Sequence, residues 1–211
     1  MPMPKFITFE GGEGAGKSTQ IQRLAENLRA RGQSVLITRE PGGTPDAEAI
    51  RGLLTTGEAA RWDPLAEALL HLAARRQHLA RAIRPALQRD EWVLCDRFYD
   101  STRAYQGGGQ GITRSTIDTL HEPVLDGLHP ALTFLLDIPP EAGLARAHAR
   151  GDAGRYERWP LERHAAIRAA FLAIAADEPK RCHVIDAAQS IDAIANAILK
   201  ACTTKFPELA A

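Results

Sequence analysis

The residues most ready to do chemistry lie near the start of the chain. Gly11, Gly12, Glu13, Gly14, Ala15, Gly16, Lys17, Ser18 and Thr19 fit the spacing G-x-x-x-x-G-K-[ST], directly after the apolar run Phe6–Phe9. Glycines let the backbone curl so that successive N–H groups point inward at phosphate oxygens. The helix expected to open at Lys17 adds partial positive charge, and the Lys17 ammonium adds a full one. Ser18 stands where a hydroxyl would ligate Mg2+. A plain strand-to-helix turn is the competing reading, and the conjunction of motif, strand and helix argues against it. A nucleotide-phosphate cradle is therefore expected.

Other residues with chemical potential sit where strands end. Arg39 closes the second apolar run, and its planar guanidinium could grip a phosphate with two hydrogen bonds or pair with Glu40 beside it. Asp96 ends the run Trp92–Cys95 and could orient Mg2+ or its waters, with Arg97 next to it. Farther along, Arg146 and Arg150 share a helix face, and Arg155 and Arg158 follow within Gly151–Pro160. A guanine-reading N-K-x-D motif is missing, since the only asparagines are Asn27 and Asn196 in helical patterns. GTPase chemistry is accordingly disfavoured.

The elements that must position these groups follow from periodicity. Phe6–Phe9, Val35–Thr38, Trp92–Cys95, Leu132–Leu136 and His183–Ile185 read as five strands separated by helical patterns. Such a βαβ series predicts an α/β fold: a doubly wound parallel sheet flanked by helices, with sites at the C-terminal strand ends. The first helix is expected from Lys17 to a stop at Gly32, with Ile21, Leu24 and Leu28 as its apolar stripe. After Pro64 a long helix should face Leu65, Leu69, Leu72, Leu79 and Ile83 to the core. Its polar stripe His71, Arg75 and His78 would then line a cleft or meet solvent. Gly107–Gly111 is expected to be a flexible loop before a helix near Thr113, and Gly151–Pro160 a mobile connection.

The chain of 211 residues fits a single domain over 1–211, with no repeat or linker to divide it. Twenty-six basic residues balance twenty-six acidic ones, so no overall field favours nucleic acid, and any bound anion needs a local cluster. No run of apolar residues is long enough to span a membrane. Cys95, Cys182 and Cys202 show no paired or zinc-like spacing, and Met1–Lys5 carries no secretory pattern. A cytoplasmic location is expected.

Four segments, in order and spacing, resemble thymidylate kinases: Phe9–Thr19; Thr38-Arg39-Glu40-Pro41-Gly42-Gly43-Thr44; Asp96-Arg97-Phe98; and Ser101-Thr102-Arg103-Ala104-Tyr105-Gln106-Gly107. The resemblance covers nearly the whole chain. It implies a P-loop kinase fold with a short lid at about 146–160, using ATP and Mg2+ to convert dTMP to dTDP, and a homodimer. By resemblance Arg39 holds the dTMP phosphate, Arg97 contacts phosphates, Glu13 meets the 3′-hydroxyl, and Tyr105 packs on the deoxyribose. Thr102 and Gln106 contact the base edge, Ser101 joins this set, and Arg75 reads the thymine. Catalytic roles fall to Lys17, Asp96 and Arg97, with Mg2+ near Ser18 and Asp96. The lid resembles the bacterial subgroup whose cradle lacks an arginine, Gly14 holding that place; Arg155 is then the leading lid charge and Arg150 the second.

One position departs from the family pattern: His71 stands where an aromatic residue often stacks on the base, which suggests weaker and pH-dependent base affinity. The acceptor, an ionised phosphate, needs no general base, so positioning and charge neutralisation carry the rate. Two alternatives remain at this stage. One is a P-loop kinase for another acceptor, against which Thr102, Tyr105 and Gln106 argue; the other is an ATP-binding protein without transfer, which would leave Arg39, Arg75 and Arg97 without work.

Overall fold

The computed structural model describes residues 3–149, 151 and 154–209. Among them, β1 (Phe6–Glu10), β2 (Val35–Arg39), β3 (Trp92–Asp96), β4 (Leu132–Asp137) and β5 (Cys182–Asp186) form one sheet in the order β2-β3-β1-β4-β5, every pair parallel. The helices are α1 (Lys17–Ala30), α2 (Pro45–Thr55), α3 (Pro64–His78), α4 (Arg84–Gln88), α5 (Tyr99–Thr102), α6 (Arg114–Leu125), α7 (Pro140–His148), α8 (Leu161–Asp177) and α9 (Ile191–Lys205). A π-helical turn, Leu79–Ile83, joins α3 to α4, and a second, Arg103–Gly109, prolongs α5.

The strands read as near-continuous apolar runs because both faces of the sheet are covered. Ile7, Phe9, Leu94, Phe134 and Leu136 pack with Ile21, Leu24 and Leu28 of α1 and Ile194 and Ile198 of α9. Alternate positions Phe6, Val93 and Cys95 point the other way, against Leu79, Ile83, Ala86 and Phe98. Each fully buried side chain of this size contributes ~1.5–3 kcal/mol. On the β4–β5 side, Leu135 and Cys182 meet Ile167, Phe171 and Ile174 of α8, with Tyr105 and Trp159.

Register delivers chemistry to one edge. Asp96 is opposite both Phe9 and Arg39, so the ends of β1, β2 and β3 lie side by side where the cradle begins. The strands run a residue or so past their expected limits, and α1 ends at Ala30, with Arg31, Gly32 and Gln33 hydrogen-bonded back to its last carbonyls. Thr113 caps α6, accepting from Thr116 N–H at 3.2 Å.

Two expectations are corrected. Gly107, Gly108 and Gly109 belong to the π-helical segment rather than to a loop, which ends only at Gln110 and Gly111. The glycines serve close packing. A methyl on Gly108 would stand 2.5 Å from Ala170 Cβ, and one on Gly109 2.9 Å from Ile167, both on α8. Leu65 and Leu69 are 45% and 47% exposed, so they do not join Leu72, Leu79 and Ile83 in the core. The polar stripe turns inward instead, because Arg75 and His78 meet the buried carboxylate of Glu40.

Candidate active site

At the end of β1 the chain curls into the cradle. Gly14 and Gly16 adopt φ of 67° and 89°, and a Cβ at Gly14 would overlap the Gly143 carbonyl of α7. Only glycine fits there without strain. The Lys17 ammonium donates to the Gly12 and Gly11 carbonyls at 3.0 and 3.3 Å, held inside the loop where a phosphate would stand above it. Burial, with Arg97 beside it, pulls the Lys17 pKa below its usual range. Ser18 Oγ donates to Asp96 Oδ2 at 3.0 Å, so the two expected Mg2+ neighbours touch.

Arg97 occupies a left-handed conformation, φ 66°, which is rare for a bulky residue and is held by its N–H on the Phe9 carbonyl. Its guanidinium donates to Gly11 O at 2.9 Å, Ser101 Oγ at 3.2 Å and Glu13 at 2.9 Å, and lies over the Tyr105 ring. The Tyr105 hydroxyl donates to the same Glu13 oxygen at 2.7 Å. Burial works against ionisation of Glu13, but Arg97, Lys17 and the Tyr105 hydrogen bond outweigh it and hold its pKa at about 2. Glu13 is therefore a fixed anion and acceptor inside a loop built for anions.

Beyond this junction opens a second cavity of about 220 Å³. Glu13, His71, Arg75, Arg97, Ser101, Thr102, Tyr105 and Gln106, expected from sequence to act together, all line it. Arg75 is 2% exposed, and four of its five N–H groups are engaged: Nε with Glu40 at 2.7 Å, Nη1 with Thr102 at 3.1 Å and His121 at 2.7 Å, one Nη2 N–H with the Phe98 carbonyl at 3.0 Å. Burial, aided by Arg75, depresses the His121 pKa to about 2, so its Nε2 accepts as a neutral imidazole. Glu40 also holds His78, which bonds Thr38 at 2.6 Å. Burial and the charges of Arg75 and Arg155 likewise push His71 down to about 3. Its ring bonds the Tyr156 hydroxyl at 2.9 Å. A charged imidazole at the base position is thus excluded near neutral pH, contrary to the expected pH dependence.

The two cavities share Glu13, Glu40, Arg51 and Arg97, so two ligands would meet end to end at this wall. The arrangement is that of a phosphoryl-transfer site with separate donor and acceptor pockets. Comparison with known proteins agrees. A family model described as "Thymidylate kinase" matches residues 9–198. The chain belongs to the thymidylate kinase family. A thymidylate kinase of Caulobacter vibrioides is 58% identical over 92% of this chain and 93% of its own length. One of Magnetococcus marinus is 49% identical over 96% and 97%. The crystal structure of thymidylate kinase from Ehrlichia chaffeensis superposes with a TM-score of 0.78 at 37% identity, covering 95% of this chain and 99% of that one. The sheet is the P-loop kinase sheet of this family, and the chain is a nucleoside-monophosphate kinase, a transferase.

Within this thymidylate kinase framework, several arginines sit elsewhere than expected. Arg39 is at the rim of the cradle cavity, its guanidinium on Glu48 at 3.1 and 3.2 Å, rather than in the acceptor cavity. Arg155 is not brought to the cradle. It is buried against Glu67 at 2.5 Å and donates to the Leu54, Glu58 and Ala59 carbonyls at 3.2, 2.9 and 2.9 Å. The reason is electrostatic: a carboxylate as buried as Glu67 needs a countercharge, and Arg155 supplies it. Arg158 donates to Gly57 O at 2.6 Å and Arg146 to Ala187 O at 3.0 Å, while Arg150 lies outside the described residues.

Arg51 was missed from sequence. It stands on α2, donates to the Pro41 carbonyl at 2.8 Å and lines both cavities. Burial and repulsion from Arg39 lower its pKa, the mark of a cation short of anions. A lone arginine on an amphipathic helix looks like solvated surface, so no signal announced it. Glu67 and His121 escaped for the same reason: their partners are remote in sequence.

Proposed function

We propose that this chain transfers the terminal phosphoryl group of ATP to dTMP, forming dTDP. The observation that carries the reading is the common wall of the two cavities. There Arg51 and Arg97, with Lys17 beside them in the cradle, gather positive charge where donor and acceptor phosphates would meet. The triphosphate lies over the Gly11–Thr19 loop, on its inward N–H groups and Lys17. Adenine rests near Ala187–Gln189 after β5. On the acceptor side, Arg51 and Arg97 take the dTMP phosphate, with Arg39 reaching toward it from the cradle rim, Glu13 takes the 3′-hydroxyl and Tyr105 the sugar face, while Arg75, Thr102 and Gln106 read the base.

An oxygen-preferring divalent cation suits Ser18 and Asp96, already 3.0 Å apart at the cradle floor. Mg2+ there would be held largely by phosphate oxygens and water and would neutralise charge on the transferred group. Among the described residues no cluster of three or more metal-ligating side chains exists, and such a site requires none.

The acceptor oxygen is already anionic, so no base removes a proton. Lys17, Arg97 and Arg51 offset charge as it spreads over the transferred group, in positions fixed before the substrates arrive. The segment at about 146–160 closes over the site as a lid and excludes water, with Arg150 as its second charge and Arg155 as its anchor. Exposed Leu53 on α2 and Leu65 and Leu69 on α3 support a homodimer through this face. Among the described residues no helix is long and apolar enough to cross a membrane; we place the enzyme in the cytoplasm. The reading extends to one domain over the whole chain.

A coupled ADP-release assay with Mg-ATP and dTMP, dUMP, dCMP or dGMP tests it. Rapid ADP formation with dTMP and little with the purine nucleotide is expected. Absence of turnover with dTMP would sink the proposal.

A further inference from the structure

Glu67 on α3 is 0% exposed and touches no expected ligand position, yet it gathers three side chains from two other elements. Its Oε1 accepts from Gln106 Nε2 at 2.8 Å and Gln110 Nε2 at 3.0 Å, both following Tyr105 in the acceptor wall. Its Oε2 lies 2.5 Å from Arg155 Nη2 in the lid. A carboxylate paired with arginine offers only lone pairs, so each glutamine must turn its NH2 end toward it. A glutamine in an unbiased pocket can present either end of its amide to a ligand. Gln106 cannot. It lines the acceptor cavity, is 1% exposed, and keeps one amide N–H on Glu67, so the amide cannot turn over and its carbonyl oxygen stays fixed as an acceptor.

We infer that Glu67 is a positioning residue for base selection: by pinning the Gln106 amide it makes the cavity present a hydrogen-bond acceptor to the pyrimidine ring. The inference rests on the proposed dTMP acceptor and goes one step behind it. Thymine and uracil carry N3–H, a donor that matches a carbonyl; cytosine carries a lone pair at N3, which the carbonyl repels. Glu67 therefore discriminates keto from amino pyrimidines without touching either. It has no part in sensing the 5-methyl group.

The test uses the full chain, wild type and two variants, in the ADP-release assay with dTMP, dUMP and dCMP. Glu67→Gln keeps the shape but can offer its own NH2, so the Gln106 amide is free to turn over. Combining Glu67→Gln with Arg155→Met removes the stranded guanidinium charge and guards against misfolding. In both variants the dTMP-to-dCMP ratio of kcat/KM should fall at least about tenfold, the scale of one mismatched hydrogen bond, while the dTMP-to-dUMP ratio stays near that of wild type. A purely structural role would depress all three substrates together. An unchanged dTMP-to-dCMP ratio overturns the inference, whatever the rates. Failure of the wild type to use dTMP instead overturns the proposed function. Should neither variant fold, hydrogen exchange of the Gln106 side-chain amide in the wild type decides. Slow exchange with and without dTMP supports the pinning, and rapid exchange overturns it.

Discussion

Replacing Arg155 by alanine separates a structural anchor from a catalytic charge. The Arg155 and Glu67 side chains are both 0% exposed and 2.5 Å apart. Removing the arginine leaves Glu67 buried with neutral partners alone, the amides of Gln106 and Gln110 and the Tyr156 hydroxyl. One-sided loss of a buried pair costs about 3–5 kcal/mol. The carbonyls of Leu54, which is buried, and Glu58, which is exposed and can take water, also lose this donor, while that of Ala59 keeps Trp159 Nε1 at 3.4 Å. In a domain of this size each kcal/mol shifts Tm by roughly 2–4 °C, so Arg155→Ala should melt roughly 6–20 °C below wild type. Adding Glu67→Gln should recover most of that loss, since a neutral pair leaves no stranded charge. At saturating ATP and dTMP, well below the melting range, the double variant should keep kcat within about tenfold of wild type. A transferred-phosphate arginine would instead cost about 10³–10⁵. Thermal melting followed by circular dichroism and steady-state ADP release give the two readouts. A single variant that melts like wild type but turns over about a thousandfold more slowly would refute the anchor.

Arg51→Ala should raise the dTMP KM by about 10- to 100-fold, the worth of one charge-assisted phosphate contact, with little change in the ATP KM; an unchanged dTMP KM removes Arg51 from the acceptor wall. Because His71 is held neutral, with a pKa of about 3, the wild-type dTMP KM should be flat between about pH 7 and 9, and His71→Phe should preserve or lower it. A large rise in KM would show that the histidine's bond to Tyr156 matters more than stacking. His121 should make folding acid-sensitive: its pKa falls from 6.5 in the unfolded chain to about 2, so between these values only the unfolded state takes the proton. Stability is then lost as pH drops below 6.5. The contribution is about 1.4 kcal/mol at pH 5.5, and urea titrations should show it missing from His121→Gln.

The fold was legible because parallel strands buried on both faces must be apolar throughout, and Phe6–Phe9, Trp92–Cys95 and Leu132–Leu136 are. The cradle was legible because its conformation depends on local glycines at φ values other residues avoid. The acceptor wall could be anticipated only through resemblance, since Arg75, Tyr105 and Glu13 are far apart in the chain. What stayed hidden was pairing. Arg155 and Arg51 look alike in sequence, yet one is silenced by a buried carboxylate and the other faces two cavities with no acidic partner of equal strength. Gly107–Gly109 misled for a related reason. Three glycines suggest freedom, but the constraint comes from Ala166, Ile167 and Ala170 on a helix some sixty residues away.

The two halves of the site are built on different physics. In the proposed reading, donor phosphates would be met by backbone N–H groups and one lysine, which costs the fold little, because a helix start leaves those donors unpaired in any case. The acceptor side is assembled from buried charge: Glu40 with Arg75, Glu13 with Arg97, Glu67 with Arg155. Such pairs are close to neutral for stability, since desolvation offsets attraction. Their gain is in reorganisation. A guanidinium already stripped of water and fixed by three or four hydrogen bonds does not have to be ordered when the nucleotide arrives or when charge shifts during transfer. That rigidity also explains why neutral histidines surround Arg75. A protonated His121 would compete with Arg75 as a second donor in a space with one carboxylate, so burial there works to keep the imidazole an acceptor and the arginine's direction fixed.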